Sequence, residues 1–412
     1  MRKLLFLSSV VFMMVLLFLL KQCYGGGSIS IFIQGLSTTQ SSQSSSSSLL
    51  IGGTALGWIG GGYTNWQQSG TASAGLDINS FKGLSSVFVD ANDDIYVADC
   101  YFNHRISKWD MDGNAFGWIG GGSDGWKTSN VTTTNSGRDY QSFWWPSDIF
   151  ITNNTLYIVD NDNNRISKWD IGGTALGWCG SGSDGWQLGT VGNNSGIKVN
   201  SLHNPDSIWI EGSSIYVTDR YNHRICKWDI GGTALGWIGG GSDGWKISDC
   251  QLSGQEAGQD YQSFHVPRSI TIDGTLMYIA DTYNNRVCRW HIDGTAMGWI
   301  GGGGNDGWQY GLTTTNSSEL NGMNSPNDVL VDADGNLLIS DTFNHRLSKW
   351  TVEGFALGWI GGGSNGWKIT VGADLGGDYQ SFDVLVGFHI DLPNNILIAD
   401  SKNNRVARWI NN

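Results

Sequence analysis

The sequence predicts an all-β fold, a six-bladed β-propeller whose blades each carry four strands. Three observations predict it: one unit recurs six times, its segments read as strands joined by hairpin turns, and the piece missing from the last unit stands ahead of the first. Each is taken in turn below.

The recurring segments are DIYVAD (94–99), TLYIVD (155–160), SIYVTD (214–219), LMYIAD (276–281), NLLISD (336–341) and NILIAD (395–400). Their terminal acids Asp99, Asp160, Asp219, Asp281, Asp341 and Asp400 lie 59 to 62 residues apart, a period that marks a repeat architecture. Each is followed by N-[HN]-R and then a tryptophan, which places Arg105, Arg165, Arg224, Arg286, Arg346 and Arg405 at equivalent positions.

Within a unit, PSDIFIT, PRSITID and PNDVLVD alternate apolar and other residues and read as strand a. IYVAD is strand b, RISKWD strand c and TALGWIG strand d. Short turns such as TNNT and DADGN join a to b, and GG or DG pairs join c to d, both hairpin chemistry. DADGN (332–336) begins like a calcium loop but lacks the closing Glu, so it reads as a turn.

The sixth unit ends three residues after Trp409, before any strand d, while IGGTALGWIGGG stands at 51–62. The expected seam is therefore a blade built from strand d at 51–62 and the C-terminal strands a to c, which removes two exposed blade edges. The expected division of the chain is a leader at 1–25, a Ser/Gln-rich linker at 26–50 and the propeller at 51–412.

Eighteen of the 21 tryptophans fall in three places per blade: on strand c (Trp109 to Trp409), on strand d (Trp58 to Trp359) and just after it (Trp66 to Trp367). Six-fold recurrence assigns them to packing rather than to carbohydrate stacking.

The formal charge of −13, with no basic run to offset it, excludes nucleic acid as a partner. The six cysteines form neither a CxxC pair nor a zinc spacing and read as small apolar filler. Arg2 and Lys3 precede an apolar run from Leu4 to Leu20, a signal peptide or, at that length, an uncleaved signal-anchor. Both place the body outside the cytoplasm, secreted or surface-anchored, and membrane contact is expected only through such an anchor. Four sequons at Asn130, Asn153, Asn193 and Asn316 fit a glycoprotein.

The run D-x-x-N-[HN]-R-[IVL]-x-[KR]-W after IYVAD, with F-x-x-P-x-x-I ahead of it as in Phe143–Pro146–Ile149, resembles the NHL repeat. That resemblance covers 51–412 and implies the propeller fold. It leaves function open, because the family includes ubiquitin-ligase substrate modules, RNA binders, amidating lyases and bacterial surface proteins. The chain departs from the family pattern by about 15 residues inserted before strand a, three of these inserts holding DYQSF. It also has no RING or B-box cysteines.

The six Asp/Arg pairs read as a structural turn network, since a catalytic group is expected once rather than in every blade. The informative positions are those where blades differ, at the start of strand a around the ring's upper mouth. They give the candidate ligand site Lys82, Trp144, Asp148, His203, Asp206, His265, Arg268, Asn327 and Asp328. No catalytic residue, resident metal or cofactor is assigned. The function expected is a non-catalytic binding platform that meets a protein or glycan on the insert-bearing face. Two alternatives stand beside it: a calcium- or zinc-dependent hydrolase or lyase at the axis, and a structural subunit of an extracellular assembly.

Overall fold

A computed structural model describes residues 53–130, 136–190, 195–250, 257–303, 305–312, 316–370, 376, 378–391 and 395–411. The leader, the linker and Asn193 lie outside the described residues.

Six antiparallel sheets follow one another in chain order, as the repeat predicts. In blade 1 strands a to d are Leu84–Val89, Ile95–Asp99, Arg105–Trp109 and Ala115–Ile119. Blade 2 has Pro146–Thr152, Thr155–Asp160, Arg165–Asp170 and Ala175–Cys179, and blade 3 has Pro205–Glu211, Ser214–Asp219, Arg224–Asp229 and Ala234–Ile238. Blade 4 has Pro267–Asp273, Leu276–Asp281, Arg286–His291 and Ala296–Ile300. Blade 5 has Pro326–Val331, Asn336–Asp341, Arg346–Thr351 and Ala356–Gly361. Blade 6 is the seam: Leu385–Asp391, Asn395–Asp400 and Arg405–Ile410 are completed by Thr54–Gly60, which runs antiparallel to Arg405–Ile410 with Trp58 opposite Ala407. Ile59, Leu84, Val97, Trp109, Leu397 and Val406 share one core cluster, so the seam blade is packed onto blade 1 as well as zipped within itself.

The sequence predicts four strands per blade, and two blades have five. Tyr63–Gln67 and Ser364–Lys368 fold back along strand d in blades 6 and 5. Blades 1 to 4 keep a single bridge at the same place, as between Trp118 and Lys127. The glycine in each LGW (FGW in blade 1, MGW in blade 4) makes this return fit. A Cβ on Gly57 would stand 2.6 Å from the Gln67 carbonyl oxygen, and one on Gly298 the same distance from that of Gln309.

The return explains the third tryptophan row. In five blades its indole Nε1 donates to a carbonyl of the next blade, from Trp66 to Met111 (2.8 Å) through Trp308 to Val352 (2.9 Å). The basic residue just before each strand c tryptophan covers the ring, as Lys168 does at 4.9 Å from the Trp186 centroid and Arg289 at 4.3 Å from Trp308. The strand c tryptophans are buried at 0 to 1% exposure, each removing roughly 150–250 Å² from water. All three rows thus serve packing.

The Asp/Arg pairs are six buried ion pairs of 2.6 to 2.9 Å whose side chains have no exposure. In blade 3, Asp219 Oδ2 accepts from Arg224 Nε and Asn222 Nδ2, while Asp219 Oδ1 accepts the backbone N–H of His203 at 2.6 Å. Arg224 Nη2 donates to the carbonyls of Lys198 and Ser201 in the insert ahead of strand a. The same two carbonyl contacts recur in every blade, at Asp139 and Ser142 for Arg165 and at Asp260 and Ser263 for Arg286. The DYQSF part of the inserts is therefore framework. Asp139 and Ser142 close a turn on which the guanidinium sits, leaving only the earlier part of each insert as loop.

The His/Asn alternation after the motif asparagine is also structural. His104, Asn164, His223, Asn285, His345 and Asn404 all have φ between 46° and 55°, where Asn and His are tolerated better than most side chains. At five seams this side chain accepts a backbone N–H from the next blade, His104 Nδ1 from Trp145 (3.1 Å), His223 Nδ1 from Val266 (3.0 Å) and Asn164 Oδ1 from Asn204 (2.8 Å) among them. An imidazole can accept there only when neutral, and burial pushes both His104 and His223 below their ordinary pKa. The unfolded chain thus binds these protons more readily. The stabilisation is present above about pH 6.5 and is lost as pH falls below it. Thermal melting at pH 7.5 and pH 5 should show a smaller acid loss for the His104→Asn/His223→Asn variant than for the wild type, each seam bond being worth about 1 kcal/mol. Equal losses would contradict the seam role.

Candidate functional site

Strand a is the innermost strand of each blade, and three successive positions of it meet round the axis. The first position after the strand-starting Pro (Leu84 and Leu385 in blades 1 and 6) holds Ser85, Ser147, Asp206, Arg268, Asn327 and Val386, and all six line the upper mouth. The next holds Ser86, Asp148, Ser207, Ser269, Asp328 and Gly387, which form the waist below it. The mouth is a cavity of about 290 Å³.

Of the candidates read from the sequence, Asp148, Asp206, Arg268, Asn327 and Asp328 lie on this surface. Lys82, Trp144, His203 and His265 do not. Their backbone N–H groups are held by the blade aspartates, which fixes these residues on the outer rim. Lys82 Nζ stands 4.0 Å from the Phe102 centroid, Arg138 covers Trp144 at 5.3 Å, His203 packs on Tyr221 at 5.4 Å and His265 on Tyr283 at 5.2 Å. The two histidines are therefore not brought to the axis. Among the described residues no three His, Cys, Asp or Glu side chains are grouped to hold a metal ion.

The structure adds Cys100, Tyr101, Trp145, Arg220 and Ser401 to the mouth. Cys100, Arg220 and Ser401 occupy the position just after the blade aspartate, where the remaining blades have Asn161, Thr282 and Thr342. Asn161, Thr282 and Thr342 each donate at 2.7 Å to the carbonyl that opens the next strand a. Arg220 lines the mouth instead. The variation at this one position, beside the recurring Asp, Asn and Arg, was the available signal.

Arg220 and Arg268 flank a single carboxylate. Asp206 Oδ2 is 3.8 Å from Arg220 Nη1 and 3.6 Å from Arg268 Nε, beyond hydrogen-bond reach of both. Burial holds the Arg268 guanidinium below its ordinary pKa. On the blade 1 and 2 side, Tyr101 and Trp145 meet edge to face at 4.5 Å. The mouth thus combines under-paired guanidinium donors with an aromatic wall.

The waist repeats itself at a half turn of the ring. Ser86 Oγ of blade 1 donates to Asp148 of blade 2 (2.7 Å), which also accepts N–H groups of Ile149 and, from blade 3, Ile208. Ser269 Oγ of blade 4 donates to Asp328 of blade 5 (2.5 Å), which accepts from Val329 and, from blade 6, Phe388. Ser207 stands at the same level, and its hydroxyl favours the charged form of Asp148. Its blade 6 counterpart is Gly387, where a Cβ would stand 2.6 Å from the Ser85 carbonyl oxygen, so Asp328 receives no such donor.

No family model matches the chain. Among solved structures it is similar to a protein of unknown function from Bacteroides thetaiotaomicron VPI-5482, with TM-score 0.53 and 14% identity over 87% of this chain and 75% of that one. An auxiliary nutrient binding protein from Bacteroides ovatus gives 0.48 and 15% over 87% and 76%, and virginiamycin B lyase from Staphylococcus aureus gives 0.47 and 10% over 82% and 97%. At these identities the first likeness concerns the fold alone.

Burial, and after it the charge of Asp148, pushes Asp328 up to about 7. Its folded pKa lies above the unfolded value, so the contribution to stability is full below about pH 4 and is lost as pH rises through about 7. Melting of the Asp328→Asn variant relative to wild type should therefore improve between pH 5 and pH 8. A constant difference across that range would contradict an unpaired carboxyl at the waist.

Proposed function

We propose that this chain is a non-catalytic binding propeller of the NHL-repeat kind that takes a ligand at the upper mouth of its axis. The observation that carries the reading is the pair Arg220 and Arg268 around one stretched carboxylate. A half-buried guanidinium without a bidentate acceptor favours a ligand that brings one, such as a carboxylate or sulfate group. Tyr101 and Trp145 offer an aromatic wall to the rest of that ligand. An acidic glycan, or an acidic side chain of a protein partner, has both features.

The proposed setting is extracellular, secreted or surface-anchored. It rests on the basic and apolar leader and on the sequons, of which Asn130, Asn153 and Asn316 are exposed. Neither feature of the mouth calls for a proton transfer, and none is assigned to it.

Binding of the full chain to immobilised carboxylated, sulfated and neutral oligosaccharides tests the reading. Acidic members should be selected, and Arg220→Ala/Arg268→Ala should weaken them at least about tenfold, as expected for lost charge-assisted bonds. Selection of neutral members, or unchanged affinity in the variant, would refute it.

A further inference from the structure

The lower half of the channel is a separate chamber of about 350 Å³. Its walls come from the strand a position two residues beyond the waist: Phe88, Phe150, Trp209, Thr271, Leu330 and His389. Four neighbouring blades supply a continuous aromatic arc. The ring centroids are 4.5 Å apart from His389 to Phe88, 5.7 Å from Phe88 to Phe150 and 5.3 Å from Phe150 to Trp209. Burial pushes His389 down to about 4, so the arc carries no positive charge of its own near neutral pH. The Trp209 indole nitrogen is buried and has no acceptor among the described residues.

Asp148 and Asp328 line this chamber as well as the mouth above it. Among the described residues neither carboxylate has a cationic partner within ion-pair distance. Two half-buried carboxyl groups without a counter-ion are costly, and an aromatic arc beside them attracts cations through its ring faces. The two acids also differ. By geometry each accepts from one serine and two backbone N–H groups, Asp148 from Ser86 and Asp328 from Ser269. The Ser207 hydroxyl further favours the charged form of Asp148, whereas the matching place beside Asp328 is Gly387, which has no side chain.

We propose that this chamber binds an organic amine, its ammonium group donating to Asp328 at the waist and its apolar body lying against Phe88, Phe150 and Trp209. A bare metal ion is the poorer occupant, because most of the wall is apolar. An anion is opposed by both carboxylates. The inference goes beyond the reading of the upper mouth and does not depend on it.

Calorimetric titration of the full chain with three para-substituted phenols of different charge tests the inference: tyramine, neutral para-ethylphenol and anionic hydroxyphenylpropionate. Tyramine should bind one to a chain, with para-ethylphenol at least tenfold weaker and hydroxyphenylpropionate without measurable heat. Asp328→Asn should weaken tyramine at least tenfold and leave para-ethylphenol unchanged. Thr271→Trp, which extends the arc into the chamber, should weaken both. Absence of tyramine binding, equal binding of tyramine and para-ethylphenol, or full tyramine affinity in Asp328→Asn would each overturn the proposal. The comparison of the three probes on the wild-type chain decides by itself where a variant fails to fold. Preference for hydroxyphenylpropionate would place the ligand at the arginine side of the axis and also overturn it.

Discussion

One buried carboxylate per blade organises this molecule. Its first oxygen takes the backbone N–H two residues before strand a starts, and its second takes the motif Asn and the motif Arg. The Arg in turn pins the insert that leads into strand a. A single node therefore sets where the innermost strand begins and how its side chains enter the channel. Breaking such a pair from one side strands a charge in a dry interior and costs about 3–5 kcal/mol. The six-fold repetition of that arrangement is what allows the axis-facing positions to vary without loss of the ring.

Variation at those positions is where chemistry enters. The mouth, the waist and the lower chamber are three layers of the same strand a, and each layer breaks the six-fold pattern differently. The mouth gathers guanidinium groups on one side and aromatic rings on the other. The waist keeps a half-turn symmetry of Ser–Asp pairs, broken by Gly387, whose lack of a side chain follows from the close approach of blade 1. The lower layer runs from aromatic in four blades to Thr271 and Leu330 in the remaining two.

Much of this was legible in the sequence, for stated reasons. The motif D-x-x-N-[HN]-R is local and recurs in five blades, with one extra residue between Asp99 and Asn103 in blade 1, so the blade count and the seam followed from spacing. The second position after the strand-starting proline was readable because alternation along a strand decides which residues face inward, and the first joins it because the pairing of strand a with strand b is irregular there. Lys82, Trp144, His203 and His265 were misplaced because the residue between them and strand a sits at positive φ, at 59° in Trp145 and 57° in Val266. That turn breaks the alternation and sends the preceding side chain outward. The fifth strand was hidden in a glycine-rich stretch whose pattern signals a turn. Arg220 was hidden because its neighbours Asp219 and Asn222 are framework, and a motif directs attention to what stays constant. The aromatic arc was not sought, since each of its members reads as ordinary strand core until the ring is closed.

The central claim is that the Asp–Arg node is a coupled unit on which the blade depends. A double-mutant cycle on Asp219→Leu and Arg224→Met, read by denaturant unfolding, measures this directly. Each single change should cost about 3–5 kcal/mol, and the double variant should lose less than the two together by about 2 kcal/mol or more. Additive losses, agreeing within about 0.5 kcal/mol, would contradict the account.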